Sequence, residues 1–414
     1  MAITASIKFL CRLIPAAVFI FSGFVKAVDP TGGAVKFEDY FEAFHLNWLI
    51  PLSMFFSITL AVFEFLLGFY ILINLFTKKT ATIALIVISF FTALTFFIAI
   101  FNPVEDCGCF GEAIILTNWQ TFWKNIFVLL FTLLFYSLRK QYYQPLKGIK
   151  LLLAAVVPFL YIAGLSFYSL NNLPPLDFRN YKIGNNIEEL MSIPKGEDHP
   201  EYETIFILEK DGEKREFTVD DYPYEDTTWV YVDRYTELIK EGYTPPLEDF
   251  YIFDAELDYE VTNEITTMTG AQFLFISPDI TKIDKRSAEA AKELAQNADL
   301  QNIPFYCLTA SSDEETSQFE KRYNTDFHYL ISDQVTLKTM IRSNPGLILL
   351  YDGTIIGKWH YNNIPNTEIT NNTLTYSIKE NQAKNRSLFI WSNALGILLF
   401  IILIFSSKTK NRKK

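Results

Sequence analysis

Cysteine and histidine are both scarce, four of each in 414 residues. Cys107 and Cys109 cannot alone supply the four ligands of an ordinary zinc site, and His199, His328 and His360 have no His or Cys at ligand spacing nearby. No metal is expected. Positive charge is also short. Against 36 Lys+Arg stand 47 Asp+Glu, and within residues 170–385 the counts are 19 and 39. So acidic a stretch excludes nucleic acid and anionic lipid as its partner. Internal repeats, low-complexity segments and paired broken helices are missing too, and the last of these would be the usual sign of a transporter.

Apolar residues are abundant, at 50%, and they are bunched into runs rather than spread with a core-like period. Runs long enough to span about 30 Å of hydrocarbon occur near 7–28, 50–76, 81–101, 119–138, 150–169 and 388–406. Six transmembrane helices are therefore expected. If they alternate, Lys8, Arg12, Lys78, Lys79, Arg139, Lys140, Lys147, Lys150 and the tail Lys408, Lys410, Arg412, Lys413 and Lys414 share one side, which the positive-inside rule makes cytoplasmic. The opposite loops, 29–49 and 102–118, hold only Lys36, and the acidic 170–385 segment emerges with them. Val25-Lys26-Ala27 loosely fits a signal-peptide cleavage site. Losing the first span, however, would put Lys78, Lys79 and Arg139 outside, against the charge rule.

The chain divides into a four-helix membrane domain (1–140), a fifth transmembrane helix (150–169) and an extracytoplasmic part beginning at Asn171-Asn172-Leu173-Pro174-Pro175, where proline stops the helix. Residues 170–247 read as a small β-rich segment: Thr204–Leu208, Arg215–Val219 and Thr228–Val232 alternate, with Asp211-Gly212 as a hairpin turn. Residues 248–385 alternate strands (250–253, 273–276, 304–308) with helices (282–298, 313–323, 333–342). They close on a hairpin, 347–351 and 354–359, turned at Asp352-Gly353. This order predicts an α/β sandwich with a mixed sheet. A last helix (388–406) and a basic cytoplasmic tail (407–414) complete the chain.

Ser343-Asn344-Pro345-Gly346, just before that hairpin, resembles the cis-proline loop of thioredoxin-like domains, so Pro345 is a candidate for a peptide-binding groove. A redox-active thioredoxin would carry Cys-x-x-Cys after its first core strand, where this chain has Ser277-Pro278-Asp279-Ile280-Thr281. Cys307 lies inside an apolar strand and reads as a small buried hydrophobe. The soluble domain is thus expected to bind rather than to catalyse.

Redox chemistry is expected instead at Asp106-Cys107-Gly108-Cys109-Phe110-Gly111, a polar break between two spans. A disulfide between residues i and i+2 closes a small, strained ring that is easily reduced, and Gly108 supplies the freedom closure needs. Cys107 and Cys109 are candidate exchange thiols that would pass electrons to a membrane acceptor such as a quinone. Glu105, Asp106 and Glu112 count against a thiolate there, and a structural clip remains an equal reading. Glu64 is a candidate intramembrane acid, because a carboxylate at mid-span costs about 2.5–3.5 kcal/mol unless it faces the bundle. Arg12 and Lys26 are its candidate partners. Phe37, Tyr40, Phe41 and Phe44, with Glu38, Asp39, Glu42 and His45 interleaved, suggest a helix along the interface, and Trp48, Trp119 and Trp123 fit an aromatic belt.

Ser22-Gly23-Phe24-Val25-Lys26-Ala27-Val28-Asp29-Pro30, Glu64 with Gly68, and Cys107-Gly108-Cys109-Phe110-Gly111 together resemble the DoxX-like membrane superfamily, and most closely its methylamine-utilisation MauE branch. With the thioredoxin-like tail, the chain resembles DoxX-family fusions of Bacteroidetes. The resemblance implies a bacterial inner-membrane protein, and the charge rule over six spans places both termini in the cytoplasm. It also implies maturation or disulfide formation in a periplasmic client, or quinone-coupled sulfur chemistry. The expected function is a membrane-anchored thiol–disulfide exchange or maturation factor. The alternative is a noncatalytic assembly protein with a structural Cys-Gly-Cys loop.

Overall fold

The computed structural model describes residues 5–104, 106–142, 146–248 and 250–407, so Glu105 and the basic residues from Lys408 onward lie outside the described residues. The chain opens with helices α1 (Ala5–Val28), α2 (Pro30–Ala43), α3 (Ser53–Leu72), α4 (Thr77–Phe101), α5 (Asn118–Ser137) and α6 (Ile149–Asn171). Among the described residues, four helices are long and apolar enough to cross a membrane: Ser6–Val28, Asn47–Leu72, Thr77–Phe101 and Ile149–Asn171. The two other runs expected as spans, 119–138 and 388–406, lie in α5 and in the final helix. The first turns of α5 carry Asn118, Gln120, Lys124 and Asn125, which dilute its apolar character.

α1 packs most extensively on α3 and α4 on α5, whereas the sequence neighbours α3 and α4 touch little. Small residues set the α1–α3 spacing. A Cβ on Gly23 would stand 2.6 Å from the Ala61 carbonyl, and one on Gly68 would stand 2.6 Å from the Ile20 nitrogen. Backbones approach this closely only where side chains are absent. α2 starts at an Asp29 N-cap, whose carboxylate accepts from Gly32 N, with Pro30 at the first helical position.

After α7 (Ile187–Met191), strands β1 (Glu201–Lys210), β2 (Glu213–Phe217) and β3 (Val230–Lys240) form a separate antiparallel sheet in the order β2-β1-β3. Asp211 and Gly212, both at positive φ, turn β1 into β2. β3 runs eight residues beyond the expected Val232. It is exposed along its whole length, so it shows none of the apolar alternation that marks a half-buried strand.

The rest of the chain comprises β4 (Phe253–Asp254), β5 (Tyr259–Glu260), α8 (Thr262–Thr267), β6 (Ala271–Ser277), α9 (Lys285–Leu300), β7 (Phe305–Thr309), α10 (Asp313–Tyr323), β8 (His328–Ile331), α11 (Gln334–Met340), β9 (Gly346–Tyr351), β10 (Thr354–His360), α12 (Glu368–Asn371) and α13 (Thr373–Ser407). The sheet order is β10-β9-β6-β7-β8-β4-β5, with β6–β7 and β7–β8 parallel and the other pairs antiparallel. The expected strand at 250–253 shrinks to a two-residue β4 that meets β8 at one pair, Phe253 with Ile331. Alternate residues of the central strands enter two cores. Leu274, Ile276, Leu308, Ile348 and Leu350 pack with Phe250 and Leu337, whereas Phe273, Phe275, Cys307, Leu347 and Leu349 pack with Ala288, Ala291 and Leu294 of α9.

This sheet domain sits on the same end of the bundle as the Cys-Gly-Cys loop. Buried Arg342, just past α11, pairs with Asp29 at 3.0 Å, and Lys338 reaches Glu38 at 3.6 Å. The linker is held from the other side: Asp177 bonds Arg179 at 2.7 Å and fully buried Lys358 of β10 at 2.8 Å.

Candidate functional site

The motif residues that are scattered in sequence meet at one end of the bundle. Close packing of α1 on α3 brings Lys26 to Glu64, with Nζ 2.8 Å from Oε2 and both side chains almost inaccessible. The same ammonium donates to Ser22 Oγ at 2.7 Å and to the Cys109 carbonyl at 2.8 Å. Ser22 Oγ lies 2.8 Å from Glu64 Oε2 and 2.6 Å from the Cys109 carbonyl, so serine, lysine and carboxylate form one network on the cysteine loop. Of the two expected partners of Glu64, Lys26 is the one in contact. Arg12 lies elsewhere, against the Phe9 ring, and its Nε has no hydrogen-bond partner.

From α2, Tyr40 donates to the Cys107 carbonyl at 3.1 Å, and Lys36 pairs with Asp106 at 2.9 Å. Asp106 Oδ1 accepts from Gly108 N at 2.6 Å. Gly108 sits at φ +62° against the Lys36 stem, where a Cβ would meet Lys36 Cγ at 2.9 Å. Both the backbone angle and the space therefore require glycine there. The loop is fixed from two sides, and its half-buried sulfurs lie 2.6 Å apart.

Two of the three acids that weigh against a thiolate in the sequence are matched in the fold: Asp106 by Lys36, and Glu112 by Arg342 at 3.9 Å. Lysines then face the sulfurs. The contact with Cys107 holds the Cys109 thiol below its ordinary range, against burial, with help from the charges of Lys124 and Lys26. Cys107 moves the other way, raised by its bond to Cys109 and by burial. The two thiols are thus shifted in opposite directions, with the lysine charges favouring ionisation at Cys109. Burial pushes the Tyr40 phenol up, so it stays a hydrogen-bond donor.

Beneath the loop, α1 to α5 enclose a cavity of about 620 Å³. Cys107, Cys109, Lys26, Lys124 and Tyr40 line one part, and nine phenylalanines contribute much of the remaining wall. On the opposite side the loop is roofed by the linker residues Pro174, Leu176 and Arg179. Pro345 is placed apart from this site. Its bond to Asn344 is cis, it is buried, and Asn344 bridges Ser277 Oγ at 2.7 Å and the Asp279 carbonyl at 2.9 Å. Cys307 is buried and far above the ordinary thiol range because of that burial.

The family model of methylamine utilisation protein MauE matches residues 4–138. Those residues form a MauE-like membrane domain. A second model, Domain of unknown function (DUF8463), matches residues 202–241, the three-stranded sheet. No curated protein and no solved structure matches the chain. Sequence reasoning missed Ser22, Tyr40 and Lys124 as site residues. A lysine two turns into a span reads as a snorkelling anchor, and nothing local reveals that it shares a cavity with the thiols.

Proposed function

We propose that this multi-pass membrane protein is a thiol–disulfide exchange or protein-maturation factor whose Cys107/Cys109 pair cycles between dithiol and disulfide. One observation carries the reading: two sulfurs at 2.6 Å, flanked by Lys26 and Lys124, on the wall of an apolar cavity. Cys109 is the attacking thiolate and Cys107 the second thiol. Electrons taken from a client pass to a membrane acceptor of the quinone class. Glu64 and Lys26 act as positioning residues by fixing the Cys109 carbonyl. Similarity of residues 4–138 to MauE supports an accessory, maturation-type role in the membrane.

In this reading the chain crosses the bacterial inner membrane six times with both termini cytoplasmic, and residues 170–385 are periplasmic. The mixed sheet is a thioredoxin-like domain, with Pro345 before β9 and Ser277-Pro278 where a redox member would carry its cysteines. That domain receives client polypeptide and does no redox chemistry of its own. A second reading, the structural clip, draws on the hydrogen bonds that tie the Cys107 and Cys109 carbonyls to Tyr40, Ser22 and Lys26.

Alkylation gel shifts on membranes separate the two. The native pair should change between two-thiol and no-thiol forms with quinone supply, and Cys107→Ser or Cys109→Ser should abolish the change. A pair locked in one state under every supply would leave only the clip.

A further inference from the structure

We infer that the phenylalanine-lined cavity is the binding site for the ring and first isoprene units of a prenylated quinone. This ligand would enter from the bilayer between α3 and α4, and Lys124 would meet its ring oxygen. The inference deepens the exchange reading above and rests on it for the chemistry, though not for the binding.

The entrance follows from packing. α3 and α4 touch little, and the gap between them is lined by Leu60 and Phe63 on one side and Phe90, Phe91 and Leu94 on the other. Phe63 and Phe90 are exposed and stand mid-helix in spans that face hydrocarbon. A molecule using this mouth must therefore be dissolved in the bilayer. On the other side of the loop the linker and α2 leave only a narrow cleft against Gly108 and Asp106. The volume, about 620 Å³, falls within the roughly 300–1,000 Å³ of small-molecule sites. Flat aromatic walls suit a planar ring better than a lone alkyl chain, since rings gain from edge and stacking contacts beyond their area.

Charge distribution picks the polar contact. Lys26 already serves Ser22, Glu64 and the Cys109 carbonyl, and Lys36 serves Asp106. Among the described residues, Lys124 has no carboxylate within ion-pair distance. Its ammonium lies 4.2 Å over the Phe110 ring, next in sequence to Cys109. A cation held on an aromatic face in an apolar cavity beside a thiol pair is placed to meet a carbonyl oxygen as negative charge develops there.

The reaction balances without further reagents. The Cys109 thiolate adds to a ring carbon of the quinone, forming a C–S bond, and the ring oxygen beside Lys124 takes a proton. Cys107 then loses its proton and attacks Cys109 Sγ. The S–S bond forms as the C–S bond breaks, and the ring leaves as the hydroquinone. Two electrons pass from the sulfurs to the ring. One of the two protons is that of Cys107, and the other, matching the one Cys109 gave up on ionising, is delivered by the Lys124 ammonium, which solvent reprotonates.

The test uses the full chain in nanodiscs and a short-chain azidoquinone photolabel mapped by mass spectrometry. Decylubiquinone and decanol serve as competitors. The Cys107→Ser, Cys109→Ser double variant isolates binding from redox. It should still be labelled on peptides lining the cavity, with decylubiquinone competing and decanol not. Lys124→Met should weaken competition at least tenfold and Lys124→Arg should restore most of it. Leu94→Trp, which narrows the mouth between α3 and α4, should reduce labelling at least tenfold; each variant is checked by its melting profile. Equal competition by decanol would make the cavity an alkyl-chain site and overturn the inference, as would an unchanged Lys124→Met. Labelling that behaves as expected while the native pair never responds to quinone supply would sink the exchange reading alone.

Discussion

Arg342 holds the sheet domain to the membrane bundle, and its removal has a calculable effect. Its Nε donates to both Asp29 oxygens, at 3.1 and 3.0 Å, and Nη1 donates to the Lys338 carbonyl at 2.6 Å, while Nη2 stands 3.9 Å from Glu112. The side chains of Arg342 and Asp29 are 3% and 15% exposed, so the pair is buried in the junction. Removing one partner of such a pair strands the other charge and costs about 3–5 kcal/mol. Asp29 retains its bond from Gly32 N and some access to water, which places Arg342→Ala near the lower end, about 3 kcal/mol. At about 1.4 kcal/mol per decade, docking of the domain shifts roughly a hundredfold. Both halves keep their own cores, so the expected result is release rather than unfolding. Trypsin should cut faster after Lys338, whose ammonium the docked junction holds on Glu38. A membrane-impermeant maleimide should also reach Cys107 and Cys109 sooner as the roof lifts. Arg342→Lys, which keeps the charge without the planar fork, should fall between. Unchanged cleavage and labelling in Arg342→Ala would refute the clamp.

Alkylation of the reduced pair should begin to rise below the ordinary thiol value of about 8.5, because the thiolate, the reactive form, persists down to the lowered pKa of Cys109. Lys124→Gln should move that onset upward by removing one of the charges responsible, and a rate profile identical to that of a free thiol would contradict the site's electrostatics. Gly68→Leu should lower the detergent melting temperature by the equivalent of at least about 1–3 kcal/mol, since its Cβ would stand 2.6–2.7 Å from the Ile20 nitrogen and Ala16 oxygen, backbone atoms that cannot swing away. Gly164→Ala, with nothing within 4 Å, is the control and should leave the melt unchanged.

By itself the sequence determined what depends on neighbours along the chain. The membrane helices follow from apolar runs, the Asp211-Gly212 and Asp352-Gly353 turns from residues that tolerate positive φ, and the mixed sheet from strands that alternate between two cores. Local patterning also singled out Glu64, since a mid-span carboxylate must have a partner. It did not reveal the length of β3, because a strand exposed on both faces leaves no periodic trace.

Only the tertiary structure decided which partner Glu64 takes, and the α1–α3 contact through Gly23 and Gly68 chose Lys26 over Arg12. It also placed Lys124 from α5 beside thiols in another loop, and set Arg342 on an aspartate 313 positions away. These pairings arise from helix packing and domain docking. Their energies depend on burial and distance in space, quantities that residue order does not carry.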